Sequence, residues 1–293
     1  MRSLKQQGTI SGLLFVSPWL IGLGTFLLYP IVASFYYSLC DYSVLERPVF
    51  IGLANYQQLM QDEVFWKALG NTLYYAGFSL PLGLILALSL AVLLNTGVKG
   101  MPIYRTIFFV PSMVPTVALA ILWLWIFNGQ YGVLNFFLAF FGVKGPGWLS
   151  DPAWSKPALV LLAMWGVGNA VVIYLAGLQD VPVHLYEAAD LDGASAWQKV
   201  RHVTLPMVSP VIQFNLIMGV IGTFQIFAVP YVMAPGGQPA RSAYMYSVYL
   251  YDNAFQYLKM GYASAMAWML FVMVLILTVL AFKVSSRHVH YGS

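Results

Sequence analysis

The chain reads as an all-α, polytopic membrane protein with about six transmembrane helices, and three observations predict this. Of its 293 residues, 60% are hydrophobic and only 8% are charged, against about 25% charged in soluble domains. Six stretches, at about 12–39, 70–94, 106–127, 158–179, 207–232 and 263–282, reach the roughly 20 apolar residues that a helix needs to cross a bilayer. None of the six contains Asp, Glu, Lys or Arg. A charge at the bilayer centre costs at least ~2.5 to 3.5 kcal/mol and usually serves a proton or ion relay, so an ion-coupled carrier or pump is disfavoured.

Taken in order, Arg2 and Lys5 precede an apolar run too long for a signal-peptide core and without a small-residue cleavage site behind it, so 12–39 is expected to remain as the first span. The loop after it runs through GLANYQQLMQDEVFWKALGNT. Asn55, Gln57, Gln58, Asp62 and Glu63 suit a solvated face there, and Leu59, Phe65, Trp66 and Leu69 suit the membrane surface, which predicts an interfacial helix. Pro81 in the second span and Pro111 and Pro115 in the third leave carbonyls without their usual donors, and so mark kinks, static or hinged. The segment 130–143 is apolar but too short to span, as befits an interfacial or re-entrant piece. Trp148 and Trp154 behind it fit an aromatic belt better than a carbohydrate-stacking site. In the fifth span Gln213 and Asn215 suit contacts between helices, whereas Thr223 and Gln225 near mid-span suit a wet cavity. The last loop carries APGGQP and a helix-like MYSVYLYDNAF; His288 and His290 beyond the sixth span have no third ligand type beside them and read as an exposed tail.

An even number of spans leaves both termini on one side. The segments on that side hold Arg2, Lys5, Lys99, Arg105, Lys199, Arg201, Lys283 and Arg287, a basic pair in each of the four, while Arg47, Lys67, Lys144, Lys156, Arg241 and Lys259 lie opposite. The bias places the termini in the cytoplasm. The net charge of +4 has no basic run behind it, so nucleic acid is not an expected partner. The single cysteine, Cys40, rules out an intramolecular disulfide framework and a cysteine-based metal cluster.

One stretch stands apart. Residues 180–210 hold Asp180, Glu187, Asp190 and Asp192, four of the ten acidic residues, between two apolar runs. Pro182 suits the first turn of a helix, and Leu185, Ala188, Ala189 and Leu191 give it an apolar side. Gly193 suits the left-handed position that ends a helix, and Ser195 with Gln198 three residues later fits a capping box opening a second one. Pro206 and Pro210 then disfavour an unbroken continuation. The product is a helix-turn-helix projecting from the membrane on the cytoplasmic side, shaped to be held by something else. The chain has no phosphate-binding loop, no dinucleotide fingerprint, no Gly-x-Ser-x-Gly elbow and no HExxH pair. It is expected to bind no metal or cofactor and to be no enzyme; if it moves something uphill, the energy has to come from another polypeptide.

Glu187-Ala188-Ala189, Asp192-Gly193-Ala194, Trp197-Gln198 and Leu205-Pro206 with Pro210 resemble the EAA motif of the permease subunits of bacterial ATP-binding-cassette importers. GLANY with Asn71-Thr72, PSMVPTVALAILW, GVLN and the run from Ala254 to Met266 are similar to the carbohydrate-uptake branch, which includes maltose, lactose and glycerol-phosphate permeases. The resemblance implies the type I importer permease architecture in the bacterial inner membrane. It divides the chain into an N-terminal span with its loop (1–69), a five-span core (70–283) carrying the coupling loop 180–210, and a tail (284–293).

It further implies a second homologous permease subunit, two ATPase subunits holding ATP and Mg, an extracytoplasmic sugar-binding protein and surrounding lipid. Glu187, Ala188, Ala189, Asp192, Gly193, Trp197 and Pro206 would serve coupling to the ATPase. Within that set Glu187 would make a polar contact, the two alanines would permit close approach, and Gly193 would make the turn. Positions flanking the loop would neighbour a solute cavity: Gly166, Val167, Ala170, Gly219, Gly222, Thr223 and Ile226; most lack polar side chains, so either this half contributes little to sugar recognition or Asn169 and Gln225 on adjacent positions take the role. The Gly-Gly-Pro usual in the last loop stands here as Gly236-Gly237-Gln238-Pro239. An ATPase-independent facilitator or channel is the alternative.

Overall fold

The structure is a computed structural model that describes residues 4–286, with side chains from residue 12 onward. The expectations for Arg2, Arg287, His288 and His290 fall outside this range. Helices dominate: α1 (Leu4–Leu23) and α2 (Tyr29–Ser38) are joined through a π-turn, Gly24–Leu28, and a minimal hairpin of β1 (Cys40–Asp41) and β2 (Val49–Phe50) follows. Next come α3 (Ala54–Gln61), α4 (Glu63–Leu94), α5 (Met101–Phe109), α6 (Thr116–Ile126), α7 (Val133–Phe140), α8 (Ser155–Trp165), α9 (Gly168–Gln179) and α10 (Val183–Leu191). The chain closes with α11 (Ala196–Lys199), α12 (Leu205–Met207), α13 (Ser209–Phe224), α14 (Ala228–Met233), α15 (Tyr246–Tyr251) and α16 (Met260–Ser286).

Four helical stretches are long and apolar enough to cross a membrane unbroken: Gly12–Ser38, Glu63–Leu94, Ser209–Met233 and Met260–Ser286. The third and fourth expected spans are broken helices, Met101–Met113 with Thr116–Ile126 bent by 98° and Ser155–Trp165 with Gly168–Gln179 bent by 43°. The sharper break follows from proline sterics. Val114, before Pro115, is pushed to extended backbone (φ −68°, ψ 127°) and cannot continue the helix.

Elsewhere proline is absorbed. Pro18 and Pro210 each lie inside a span, and the serine before each donates its Oγ proton to the carbonyl the proline leaves without a donor, Ser17 to Leu14 O at 2.7 Å and Ser209 to Pro206 O at 2.6 Å. Pro81 lies within an α4 that runs unbroken.

The chain forms two compact units. One comprises the segment ending at Asp62 together with Leu250–Leu270. Within it Asn55 is buried and donates both amide protons, to Ser38 O and Cys40 O at 2.9 Å each, while Tyr262 donates to Asp62 Oδ2 at 2.6 Å. Gln57, Gln58 and Glu63 are exposed as expected, but Asn55 is not part of that solvated face: it caps the chain reversal after α2, and Leu59 on the same helix is fully buried inside the protein and not at a membrane surface.

The other unit comprises Glu63–Tyr249 and the segment from Phe271. Its centre is α4, which packs against α8, α9 and α13, while α6 packs against α14. The helix begins at Glu63, so the boundary expected after residue 69 falls within it. Phe65 and Leu69 are buried as part of this helix and do not lie along a membrane surface; Trp66 stays half exposed. Ala87, Ala91 and Leu94 of α4 meet Val171, Tyr174, Leu175 and Leu178 of α9 in a core closed by Val181 and Val208.

At the far end of α4, Asn71 donates to Arg241 O (2.8 Å) and Tyr244 O (3.0 Å), and Lys156 Nζ donates to Asn71 Oδ1 (3.3 Å). Thr72 Oγ1 accepts from Tyr246 N at 2.9 Å, and burial holds the Tyr246 phenol above its ordinary pKa. These contacts pin the loop carrying Gly236 and Gly237 onto α4. Trp148 donates to Asn135 Oδ1 at 2.7 Å, tying the segment after α7 to that helix.

Candidate functional site

Two features of the larger unit carry the residues singled out above. The first is the polar hairpin 180–210. α10 ends at Leu191, and Gly193 takes φ +74°, a conformation that costs an L side chain roughly 1–2 kcal/mol. Ser195 then caps the next helix as predicted: its Oγ accepts from Gln198 N at 3.4 Å, and Gln198 Oε1 accepts from Ser195 N at 2.7 Å.

From Ala196 the chain stays helical to Phe224, broken only by a π-turn at Val200–Thr204 and a hitch at Val208. In that π-turn Leu205 N donates to Val200 O, five residues back. The interruption expected at Pro206 and Pro210 is confined to the hitch at Val208 between them, and the Ser209 hydroxyl meets the carbonyl of Pro206 that Pro210 leaves without a donor.

Most of the residues expected to couple gather at the hairpin's free end. Glu187 and Ala188 are exposed on α10, and Glu187 makes no ion pair with the described residues. Ala188, Ala189, Asp192 and Gly193 line an open groove of about 430 Å³ against Gln198, Lys199 and His202. Leu191 is 90% exposed and Trp197 69% exposed, on either side of the Gly193 turn. This corrects the apolar side read for α10, since Leu185 and Ala189 are half-buried while Leu191 faces away from the protein. Pro206 stands apart at the hairpin's root, half-buried two residues before the hitch at Val208. Burying one leucine side chain is worth about 1.5–3 kcal/mol, so an uncovered Leu191–Trp197 pair on a capped projection is a surface that gains by being covered.

The second feature is a cavity of about 300 Å³ among α4, α8, α9 and α13, at the small end of ligand-sized cavities. Of the residues expected beside it, Gly166, Val167, Asn169, Ala170, Gly219 and Thr223 line it; Gly222, Gln225 and Ile226 do not. On α13 the lining stripe is Asn215, Gly219 and Thr223, spaced by four, with Met218 beside it. The helix ends at Phe224, which leaves Gln225 as its exposed cap and Ile226 in the unwound turn beyond. Thr223 spends its proton locally, on Gly219 O (2.8 Å) or Val220 O (3.1 Å).

Sequence reasoning missed the wall supplied by α4, where Tyr75 and Ser79 lie one turn apart. Their apolar surroundings gave no local signal of a cavity. The break between α8 and α9 falls on Gly166 and Val167, in the lining itself. Unwound backbone at membrane depth is tolerated where protein or a wet cavity meets its free carbonyls. Gly168, which opens α9, permits close packing there: a Cβ at this position would come within 2.7 Å of Phe108 O.

Residues 79–288 match the family described as the binding-protein-dependent transport system inner membrane component. The probable ABC transporter permease protein YesP of Bacillus subtilis is 40% identical, over all of this chain and 95% of its own length. The lactose transport system permease protein LacF of Rhizobium radiobacter is 35% identical over 96% of this chain and 95% of its own. The crystal structure of a bacterial ABC transporter involved in import of the acidic polysaccharide alginate holds a chain that superimposes with a TM-score of 0.79 at 25% identity, covering 98% of each. With family match, relatives and fold in agreement, the chain belongs to this family and is a permease, the inner-membrane component of a binding-protein-dependent transport system.

Proposed function

We propose that this permease is one of two homologous membrane subunits of an ATP-driven importer for a sugar or sugar-like solute. A binding protein outside the membrane delivers the solute, and two separate ATPase subunits, holding ATP and Mg, drive transport through the α10–α11 hairpin. The observation that carries the reading is the hairpin: a capped projection whose free end exposes Glu187, Leu191 and Trp197 around a left-handed glycine. The basic pairs beside its helices support a cytoplasmic hairpin and cytoplasmic termini. Relatives named for lactose, for trehalose and maltose, and for arabinooligosaccharides support the sugar class. The cavity beside the α8–α9 break is the place for the solute, with Asn169, Asn215, Tyr75 and Ser79 as its polar contacts.

The test is purification of the chain with its associated subunits, then reconstitution and uptake of radiolabelled lactose, maltose and trehalose. An ATPase co-purifies with the native chain and not with Glu187→Lys, which still inserts, and uptake requires ATP. Uptake by this chain alone, without ATP or an ATPase, would instead establish an ATPase-independent facilitator.

A further inference from the structure

Within the hairpin, α10 is tied to the following helix at two points one helical turn apart. Tyr186 and Asp190 sit at i and i+4 on one side of α10, a quarter-turn or so from the exposed Glu187. Asp190 Oδ1 accepts from Lys199 Nζ at 2.6 Å, a half-solvated tie. The other is part-buried. Tyr186 OH and Thr204 Oγ1 are 3.0 Å apart, and Thr204 is only 4% exposed. Either hydroxyl can donate in this bond, and Thr204 Oγ1 also lies 3.4 Å from Lys199 O, which it reaches as a donor when Tyr186 supplies the proton between them.

Thr204 is also the last residue of the π-turn, four residues before Val208, which is buried in the core with Leu178 and Val181. Tyr186, Val203 and Met207 pack against that same core. A helix pair closed only by a glycine turn would fold like a hinge; this one has a hydrogen-bonded strut at its root, where a lever needs it.

We infer that the Tyr186–Thr204 hydrogen bond is the strut that makes α10 and the helix through α13 one rigid lever, so that a displacement of the hairpin tip reaches the cavity wall at Gly219 and Thr223. Tyr186 and Thr204 are positioning residues, and the inference rests on the coupling role proposed above.

Spin labels at Leu191→Cys and Met218→Cys, in a chain carrying Cys40→Ala and purified with its ATPase, read the tip-to-wall distance directly. The native pair gives one narrow distance, unchanged between the nucleotide-free and the ATP-vanadate states. Tyr186→Phe and Thr204→Val each lower the ratio of attached to detached tips by about fivefold, the factor one net hydrogen bond carries. The double variant is no worse than either single one, and Thr204→Ser, which keeps the hydroxyl, restores the narrow distance. A native distance that changes with nucleotide, or a Tyr186→Phe distribution as narrow as the native one, overturns the strut. Loss of ATPase association in the native chain would overturn the coupling role as well, and is scored separately by co-purification.

Discussion

The hairpin 180–210 and the cavity among α4, α8, α9 and α13 are built by opposite means. The hairpin closes on neighbours within some twenty residues: the capping box, the Gly193 turn, and the ties from α10 to Lys199 and Thr204. The cavity has walls from segments over a hundred residues apart, and its shape depends on a broken helix, the missing Cβ of Gly219 opposite Leu80 and a stripe of α13. The hairpin is thus a self-contained module standing on a core, whereas the cavity is a by-product of global packing. Substitutions in the first should be local, and substitutions supporting the second should spread.

The largest effect that sharpens this contrast is expected at Asn71. Replacing it with Leu removes three hydrogen bonds, those to Arg241 O and Tyr244 O and the one from Lys156 Nζ, at a cost of about 3 kcal/mol, about one for each. Thermal unfolding in detergent should fall accordingly, and with it ordering of the loop after Gly236. Gly168→Val comes next. Its Cβ would crowd Phe108 O and Phe109 Cα, costing about 2 kcal/mol by overpacking, and the loss should appear as global destabilisation although the site is one residue.

Ser195→Ala removes a helix cap worth about 1 kcal/mol. Amide exchange should quicken at residues 196–199 and nowhere in α4 or α9; acceleration across the cavity walls would break the distinction between the two regions. The smallest effect is at Lys199→Ala, which deletes a half-solvated ion pair worth at most about 0.5 kcal/mol. A loss of hairpin order larger than that of Thr204→Val would place the strut at Asp190–Lys199 instead.

The same contrast explains what was legible in the sequence. Gly193, Ser195 and Gln198 could be read because caps and turns depend on residues a few positions away. The spans could be read because apolar length is additive. Asn55 and Asn71 were opaque: nothing nearby in sequence says that their amides meet Ser38 and Cys40, or Arg241 and Tyr244. The π-turn before Pro206 and the resumption of helix right after Val208 were missed because a neighbouring serine can replace the donor that proline removes. Tyr75 and Ser79 were missed because a hydroxyl in an apolar run becomes part of a cavity only when other helices stop short of it. Of the residues expected beside the cavity, those lining it flank the α8–α9 break or sit on one stripe of α13, and those off it lie where α13 ends or beside that stripe.

The proposed seat of a separate ATPase is the hairpin's free end. Hydrogen–deuterium exchange of the permease in lipid nanodiscs, with and without its ATPase subunits, reads this directly. Protection concentrated in residues 183–199, around Glu187, Leu191 and Trp197, is the predicted result. Unchanged exchange there, with protection at another part of the chain or at none, would contradict it.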